Sequence, residues 1–396
     1  IVMNINKQKI LQALQKHYDK AVALSLDLSD HPELPYEEFE SSKKIVKILS
    51  EAGFKVTYPY AGYHTAFCAE LDNGTGPSAA LLVEYDALPE IGHGCGHNLH
   101  GALSVLAGLG LMELKDSFKG RLYVIGTPAE EENGAKIGMA QQGIFDHMSL
   151  AAMMHSASGE FSIPDMDVLS LRCYVVDFHG KTAHSVSSPW EGRSALAAGR
   201  KFLDLIDARR ECFTPDIHVN SVILDGGKAP NIIPDFCRIR MEFRTDSLKK
   251  LEKMDEAIRK CADAAALALE CTVTLEPGLS DFYDMVRTQP LETAVTELLE
   301  DYGKKTASVN TPSGSSDVGN VSYHCPAIQP QISVTNETMA LHTTEFRNAC
   351  RTDFAHESML KGAAVLTELF LKVYNDPEFR SQVQSSWEES LRKKKE

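Results

Sequence analysis

The chain has 396 residues, of which 43% are hydrophobic and 24% charged, and it carries a formal net charge of −15. This length predicts two domains or one domain with an insertion, and the composition is that of a globular protein. The acidic balance argues against nucleic acid and membranes as partners, no apolar run reaches the roughly 18 residues of a membrane helix, and we expect no secretory signal because the first ten residues lack an apolar core.

Alternating helix and strand signals run through residues 1–169 and resume in residues 282–396. Residues 36–51 have apolar side chains at helical spacing, and residues 79–83 (AALLV) form the continuous apolar run of a strand buried on both faces. The same reasoning predicts helices at 99–114, 290–301 and 356–374, and strands at 122–125, 150–154 and 328–333. This order predicts an α/β domain with a mostly parallel sheet flanked by helices, and we expect Lys393–Lys395 to be a solvated tail.

The pattern changes between residues 170 and 281. Strand signals there are less apolar, as expected for a sheet with one face in water, and the elements occur in the order β-α-β-β-α-β. The predicted strands are 171–178, 217–224, 236–243 and 271–275, and the predicted helices are 194–208 and 248–269. We therefore expect a small ferredoxin-like domain, residues 170–281, inserted into a larger domain formed by residues 1–169 and 282–396.

Metal-binding residue types are densest between Glu84 and His100, directly after a predicted buried strand. Ligand sites in α/β folds lie at such strand ends, and Cys95 and His97 stand on a glycine-flanked turn where both could face one cation. A thiolate and an imidazole suit Zn²⁺ and related transition metals. The alternative is an inert Cys95 among solvated histidines, and the other acids and histidines nearby count against it.

Three adjacent glutamates, Glu130 to Glu132, follow the next apolar strand. Such a run is ordinarily a solvated surface feature, but its place at a strand end favours a site. A metal-activated hydrolase needs one carboxylate to bind metal and another to accept a proton from the activated water. His155 and His342 also end apolar runs, and each taken alone is interpreted as an ordinary histidine.

Seven segments in fixed order carry a resemblance to a known family: HPELPYEEFESSKKIVKILSEAGF, EYDALP, GHGCGHNLHGA, GTPAEEENGAK, GKTAHS, NIIPD and LHTTEF. The chain resembles the metal-dependent amidohydrolases and peptidases that include aminoacylase, carboxypeptidase G, succinyl-diaminopimelate desuccinylase and the indole-acetyl-amino-acid hydrolases. It is most similar to the branch with a cysteine ligand, which contains the aminobenzoyl-glutamate utilisation proteins. The match spans roughly residues 30–370 and implies a catalytic α/β domain that carries an inserted lid.

The resemblance implies a binuclear metal site in the catalytic domain. Two divalent ions, Mn²⁺ or Zn²⁺ with Co²⁺ and Ni²⁺ as further candidates, are expected to share five ligands: Cys95, His97, Glu131, His155 and His342. The Cys95 thiolate is the expected bridge between the ions. Glu130 corresponds to the general base, and Asp86 to an acid that orients a ligand histidine. His93 and His100 belong to the motif and are not expected to be ligands.

The resemblance also implies roles for residues of the lid. His184 corresponds to a histidine that polarises the substrate carbonyl, often from the other subunit of a dimer. Asn231 and Arg244 correspond to residues that bind the free carboxylate of the substrate, and arginine suits this role because its planar guanidinium pairs bidentately with carboxylate. Residues 314–317 are expected only to line the pocket.

Three departures from the family pattern leave the subfamily, and with it the substrate, open. Relatives usually have Asp where this chain has Asn98, and relatives with EYDALP often lack the histidine that this chain has at position 100. The third glutamate leaves two pairings open, Glu130 with Glu131 or Glu131 with Glu132, and the preceding Pro-Ala dipeptide favours the first.

These features predict a two-metal amidohydrolase that cleaves N-acyl amino acids, aminobenzoyl-glutamate-like conjugates or dipeptides bearing a free carboxylate. We expect a homodimer joined through the lids, because a split βαββαβ sheet has exposed edge strands that can pair. Nine cysteines without a CxxC pair predict a cytoplasmic protein without a disulfide framework. Two alternatives stay open: a hydrolase with Cys95 as nucleophile and His97 as its base, and a non-catalytic metal-binding protein on the same fold.

Overall fold

The structure is a computed structural model that describes residues 6–308, 312 and 314–396. The strands are β1 (Lys55–Thr57), β2 (Phe67–Asp72), β3 (Ser78–Val83), β4 (Arg121–Gly126), β5 (Leu150–Ala152), β6 (His155–Ser158), β7 (Phe161–Ser162), β8 (Ser170–His179), β9 (His218–Asp225), β10 (Phe236–Thr245), β11 (Thr272–Pro277), β12 (Lys305–Thr306), β13 (Ala327–Ile328) and β14 (Gln331–Thr335). The helices are α1 (Lys7–Asp30), α2 (Phe39–Glu51), α3 (His97–Glu113), α4 (Ala135–Gln141), α5 (Ala195–Arg209), α6 (Leu248–Ala268), α7 (Gln289–Asp301), α8 (Val318–Ser322), α9 (Thr344–Ala349), α10 (Asp353–Asn375) and α11 (Pro377–Lys395).

The described residues form two compact units. The larger unit comprises residues 6–167, 285–308, 312 and 316–396, and the smaller unit comprises residues 168–284 with 314 and 315. Each unit has its own buried apolar cluster. Within the described residues, no helix combines the length and the apolar character needed to cross a membrane.

The larger unit is built on a six-stranded sheet in the order β1-β2-β4-β3-β5-β13. The pairs β3–β4, β3–β5 and β5–β13 are parallel, whereas β2 runs antiparallel to both of its neighbours. Helix α3 is buried along most of its length and lies against β3, and α1 and α10 pack against α3. These layers confirm the predicted α/β class with a mostly parallel sheet.

A break interrupts the chain at two of the predicted strands. At the first, β5 ends at Ala152 and a new strand, β6, begins at His155, just beyond the predicted run 150–154. At the second, the run 328–333 divides into β13 and β14. Pro330 lies at the second break, where it has no amide hydrogen to give to a ladder, and its carbonyl oxygen accepts a hydrogen bond from the amide of His155 at 2.7 Å. The strands after the breaks therefore form a separate parallel pair, β6 with β14, that begins at His155.

The terminal helices α1 and α11 are not among the predicted elements. Helix α11 begins with Pro377 at its first turn, and the side chain of Asp376 caps it by accepting from the amide of Phe379 at 3.0 Å. Lys393–Lys395 forms its last turn, where cations interact favourably with the helix dipole. Lys393 and Lys395 are exposed, as predicted for a solvated segment, and the structure adds that this segment is helical.

The smaller unit has the order β8-α5-β9-β10-α6-β11 along the chain. Its four strands form one antiparallel sheet in the order β11-β8-β10-β9. Helices α5 and α6 pack on this sheet around Phe178, Phe202 and Phe243, which are fully buried. This arrangement confirms the predicted ferredoxin-like lid fold. Strand β9 lies at one edge of the sheet and exposes the apolar side chains of residues 222–224.

Candidate metal centre

Carboxylates of the larger unit converge where two neighbouring parallel strands end. Glu84 and Asp86 come directly after β3, and Glu130 and Glu131 come after β4. Because β3 and β4 are parallel, their carboxyl ends meet at one edge of the sheet. The fold therefore positions four acidic side chains at the edge where α/β proteins bind their ligands.

The start of α3 supplies a thiol and an imidazole at the same edge. Gly96 is the N-cap residue and has a left-handed φ of 81°, which glycine adopts without strain, and it connects Cys95 to His97. Further along the helix, a Cβ at Gly101 would lie 2.2 Å from the carbonyl oxygen of Glu84. The helix backbone therefore lies directly against the end of β3.

The structure brings the five predicted metal ligands together. One donor atom from each of Cys95, His97 and Glu131 lies within 4.8 Å of the others. The Sγ atom of Cys95 is also 3.5 Å from Nε2 of His155. At the other side, Oε1 of Glu131 is 3.4 Å from Nε2 of His342. The donor atoms thus form a continuous series from His155 through Cys95 and Glu131 to His342.

Hydrogen bonds orient two of the histidines so that Nε2 faces the cluster. Nδ1 of His97 lies 2.9 Å from Oδ1 of Asp86, so it donates to the carboxylate. Nδ1 of His155 donates to the carbonyl oxygen of Ser156 at 2.8 Å. Nε2 of His97 and Oε1 of Glu131 are 3.7 Å apart, and both are buried without a hydrogen-bond partner. Since buried polar atoms are seldom unpaired, these atoms fit a divalent cation.

The charges around the cluster favour a cation at its centre. Burial opposes protonation of His97, but Asp86 and Glu84 outweigh it and raise the pKa of His97 well above its ordinary value. The same field favours a metal ion at Nε2 in competition with the proton. Burial, reinforced by Glu131, raises the pKa of the Cys95 thiol well above its ordinary value. A thiol in such surroundings needs a nearby cation to become a thiolate.

Neighbouring glutamates on the loop after β4 have opposite pKa shifts. Oε2 of Glu130 is 3.7 Å from Nε2 of His97, and burial, followed by Glu84 and Glu131, raises the pKa of Glu130 well above its ordinary value. Burial also acts on Glu131, but Nε2 of His342, 3.4 Å from Oε1, and the charge of His97 outweigh it and lower the pKa of Glu131. Paired carboxyl groups with separated pKa values suit a proton acceptor beside a permanent anion.

The third glutamate of this run, Glu132, is exposed and belongs to none of the ligand groups found among the described residues. The geometry therefore favours the pairing of Glu130 with Glu131. His93 is buried with both ring nitrogens unpaired, and it too is outside the ligand groups of the described chain.

A buried carboxylate anchors the loop that carries these glutamates. Ala129 has a φ of 62°, a left-handed conformation that residues with a side chain seldom adopt. Its amide donates to Oε1 of Glu38 at 2.9 Å, and Oε2 of Glu38 accepts from the hydroxyl of Thr65 at 2.8 Å. Burial, followed by the charge of Asp86, raises the pKa of Glu38 to about 7. Sequence analysis missed Glu38, although it lies in the first of the seven family segments.

A second buried network lies beside the cluster. Nζ of Lys136 is 2.7 Å from Oε1 of Glu84 and 2.8 Å from Oδ1 of Asp317, and none of these side chains has exposed surface. Donor atoms of Glu84, Glu130 and Asp317 form a further group with metal-ligand spacing. Because the ammonium group of Lys136 already supplies positive charge there, this group does not require an ion. Asp317 thus has an ionic partner in addition to the pocket-lining role expected for residues 314–317.

The lid residues His184 and Asn231 lie in the smaller unit. Nδ1 of His184 accepts from the amides of Val186 and Ser187, both at 3.2 Å, so the ring proton is on Nε2. The amide of Ser185 donates to the carbonyl oxygen of Asn231 at 3.0 Å, which joins the two segments. An Nε2–H group is the donor that polarisation of a carbonyl requires.

Arg244 lies on β10 of the smaller unit. Its Nη2 is 3.1 Å from Oε1 of Glu242, and its Nη1 is 3.4 Å from the hydroxyl of Ser315. Ser315 belongs to the segment expected to line the pocket. These contacts hold the guanidinium in place and leave it with further N–H groups that could pair with a carboxylate.

Comparison with known proteins places these features in a family context. A family model described as a peptidase dimerisation domain matches residues 170–270. The chain is 32% identical to the Xaa-Arg dipeptidase of Mus musculus over 393 residues, covering 95% of this chain and 90% of that protein. It is 26% identical to a component of the p-aminobenzoyl-glutamate hydrolase of Escherichia coli over 431 residues, covering 88% of this chain and 87% of that protein.

Solved structures show the same fold. A putative aminohydrolase from methicillin-resistant Staphylococcus aureus superposes with a TM-score of 0.79 at 22% identity, over 93% of this chain and all of that chain. A Bacillus subtilis protein described as a dinuclear metal binding peptidase from the M20 family superposes with a TM-score of 0.66 at 20% identity. The superposition covers 89% of this chain and 98% of that chain. At these identities the likeness establishes the fold and no more.

Proposed function

This chain belongs to the M20 family of peptidases, and we propose that it is a two-metal amidohydrolase within that family. Its relatives are named as dipeptidases, hydrolases and carboxypeptidases, so the chain is an amide-bond hydrolase and the non-catalytic alternative has no support. One observation carries the two-metal proposal: the series of donor atoms contains two buried, unpaired atoms, Nε2 of His97 and Oε1 of Glu131.

The donor chemistry supports Zn²⁺ or Mn²⁺, with Co²⁺ and Ni²⁺ as further candidates. We infer that Cys95 is the shared ligand, since its Sγ atom lies near donors on both sides of the series. His97, Glu131, His155 and His342 are the other proposed ligands. Thiolate, imidazole and carboxylate together suit such ions, which would make water acidic and polarise the amide carbonyl when bound.

Glu130 is the proposed general base. It accepts a proton from the attacking water and delivers it to the leaving amine, so the carboxylate is regenerated at the end of the cycle. Its raised pKa and its place next to Glu131 support this role. Asp86 orients His97 through Nδ1, and Nε2–H of His184 donates to the carbonyl oxygen that becomes negative in the transition state.

The substrate is proposed to be a small amide that carries a free carboxylate next to the cleaved bond. Arg244 and Asn231 are the residues assigned to that carboxylate, and the guanidinium group suits bidentate pairing with it. This would make the enzyme exo-acting on N-acyl amino acids, aminobenzoyl-glutamate-like conjugates or dipeptides. The names of the Xaa-Arg dipeptidase and aminobenzoyl-glutamate hydrolase relatives support these classes.

The proposed assembly is a homodimer formed through the smaller unit. The match to a peptidase dimerisation domain supports it, as does edge strand β9, where Val222, Ile223 and Leu224 are all exposed. Exposed apolar edge strands are stable when a second copy pairs with them. In such a dimer His184 would act on the partner's substrate.

The proposed location is the cytoplasm. All nine cysteines, each among the described residues, are unpaired in the structure. Free thiols are typical of a reducing compartment, which supports this location.

Metal removal is the direct test of the proposed function. We expect chelator-treated protein to lose its amidase activity and to regain it with Mn²⁺, Zn²⁺ or Co²⁺. Full activity after chelation, with no response to added metal, would refute the proposal.

The Cys95→Ser variant separates this proposal from the thiol-nucleophile alternative. A metal enzyme should lose bound metal together with activity, whereas a thiol enzyme should lose activity alone. Cys325→Ser, which makes the same change at another buried cysteine of the larger unit, is the control and should keep its metal.

A further inference from the structure

His100 is a buried histidine that the proposed mechanism does not use. Its ring centroid lies 4.4 Å from that of His155, and it shares a group of metal-ligand spacing with Glu84, His97 and His155. By its position alone, His100 could therefore be a metal ligand. The hydrogen bonds made by its ring nitrogens argue against that role.

Both ring nitrogens of His100 are engaged by protein atoms. Nδ1 accepts from the backbone amide of Ser156 at 3.2 Å and lies 3.1 Å from the hydroxyl of the same residue. Because a backbone amide only donates, Nδ1 carries no proton, and the neutral ring carries its proton on Nε2. That Nε2–H group donates to Oε2 of Glu84 at 3.0 Å. No lone pair of His100 is then left for a metal ion.

Lys136 sets the direction of these bonds. Its Nζ donates to Oε1 of Glu84 at 2.7 Å, and both side chains lack exposed surface. An ionised carboxylate beside a buried ammonium group can only accept hydrogen bonds. His100 must therefore present an N–H group to Glu84 and a bare nitrogen to Ser156.

The chain of bonds ends at His155. Ser156 uses its amide for His100 and its carbonyl oxygen for Nδ1–H of His155, at 2.8 Å. This second bond leaves Nε2 of His155 as the nitrogen that faces Sγ of Cys95, 3.5 Å away. The geometry points to His100 as a positioning residue that fixes the ring of His155 through Ser156, with Glu84 and Lys136 holding His100 in the required tautomer. This inference rests on the proposed function, in which His155 is a metal ligand.

Two substitutions of His100 by amide residues test its two hydrogen bonds separately, the one from Nδ1 to Ser156 and the one from Nε2 to Glu84. In His100→Asn the side-chain oxygen stands near the position of Nδ1, so it can still accept from Ser156 but cannot reach Glu84. In His100→Gln the longer side chain can still reach Glu84 but no longer offers an acceptor to Ser156. His356→Gln is the control, because His356 is another buried histidine of the larger unit and lies outside this chain of bonds.

The measurement is calorimetric titration of Co²⁺ into metal-depleted protein. We expect His100→Asn to bind within about threefold of wild type and His100→Gln to bind roughly 10- to 100-fold more weakly, the loss typical of residues that orient a ligand. His356→Gln should bind like wild type. Three outcomes would overturn the inference: an equal loss of Co²⁺ affinity in the two His100 variants, a loss in His100→Asn alone, or no loss in either variant. A wild-type protein that binds no Co²⁺ would overturn the proposed metal site as well, so the two failures are distinguishable.

Nitrogen-15 NMR of histidine-labelled, metal-free wild type tests the same arrangement without any variant. We expect His100 in the Nε2–H tautomer and His155 in the Nδ1–H tautomer, assigned from their contacts to the Ser156 backbone. The opposite tautomer at either ring would overturn the inference, even if the His100 variants fail to fold.

Discussion

Asp86 and His97 are joined by a hydrogen bond of 2.9 Å between Oδ1 and Nδ1, and neither side chain has exposed surface. The other oxygen of Asp86 accepts from the backbone amide of Glu131 at 3.0 Å. One carboxylate therefore sets the tautomer of one proposed ligand and the backbone position of another.

Asp86→Asn should weaken metal binding by roughly 10- to 100-fold, because the new NH₂ group must face either the His97 N–H or the Glu131 N–H as a second donor. Calorimetry with Mn²⁺ or Zn²⁺ on metal-depleted protein measures this. The control is Asp165→Asn, which makes the same change at another buried aspartate of the larger unit, one that belongs to none of the ligand groups of the described residues. Unchanged metal affinity in Asp86→Asn would show that Asp86 does not orient His97.

Glu130→Gln should lower kcat by roughly 10²- to 10⁴-fold, since an amide cannot accept the proton of water. Bound metal and melting temperature should stay close to wild type because the side-chain shape is kept. Glu132→Gln is the matched control on the same loop, where the side chain is exposed, and it should keep its activity. If Glu132→Gln is the inactive variant, the assignment of base and ligand on this loop is wrong.

Glu38 should make stability depend on pH. Its pKa rises from 4.5 to about 7 in the folded protein through burial and then Asp86, so the folded state holds this proton more tightly than the unfolded state. The stability from this group is complete below pH 4.5 and is lost as the pH rises to 7, by up to roughly 3 kcal/mol.

The Glu38→Gln variant cannot ionise, so its melting temperature should rise relative to wild type over this pH range. Thr65→Val removes a hydrogen bond that lowers the pKa of Glu38, and it should move the transition to higher pH. Thermal melts at several pH values measure both effects. Parallel curves for wild type and Glu38→Gln would contradict the assignment.

Arg244 should make cleavage depend on a free carboxylate in the substrate. Free-acid dipeptides should be cleaved about 30- to several-thousand-fold faster than their C-terminal amides, corresponding to ~2–5 kcal/mol for a broken buried charge pair. Arg244→Ala should erase that preference. Arg238→Ala removes a more exposed arginine of the same strand, paired with Asp177, and should keep it. Equal rates on acids and amides in wild type would exclude a carboxylate clamp.

The β9 edge should hold the protein as a dimer. Light scattering should give a mass near twice 43.6 kDa, and Val222→Asp should shift it toward the monomer because it places charge on an apolar pairing edge. Leu267→Asp is the control: Leu267 is an exposed leucine on α6 of the same unit. A wild-type mass of one chain at every concentration would exclude the dimer.

Local patterns predicted much of the fold. Buried strands such as AALLV and helices with regular apolar spacing could be recognised because burial imposes that spacing. Helix α1 carries a similar signal, since Ile10, Leu14, Leu24 and Leu28 are buried at helical intervals, so it could have been predicted too. The break between β13 and β14 could not be predicted, because it depends on the hydrogen bond between the carbonyl oxygen of Pro330 and the amide of His155, which are far apart in sequence.

The candidate site likewise contains residues that could be predicted from the sequence and residues that could not. Its proposed ligands could be named because the family resemblance implies them, whereas the residue pattern alone interprets His155 and His342 as ordinary histidines. Lys136 could not, because a lysine in sequence indicates an exposed charge, and its partners Glu84 and Asp317 lie 52 and 181 residues away. The role inferred for His100 depends on which nitrogen carries the proton, a property that only hydrogen-bond geometry reveals.

Gly101 lies where α3 closely contacts the end of β3. At this position the residue that would best stabilise the helix would also displace the proposed metal ligand on it. Alanine in place of glycine ordinarily stabilises a helix by roughly 0.5–1 kcal/mol. Here its methyl group would lie 2.2 Å from the carbonyl oxygen of Glu84, so α3 would have to move away from the strand and carry His97 and His100 with it. A substitution that propensity scales rank as favourable would thus impair the proposed metal site without altering any ligand.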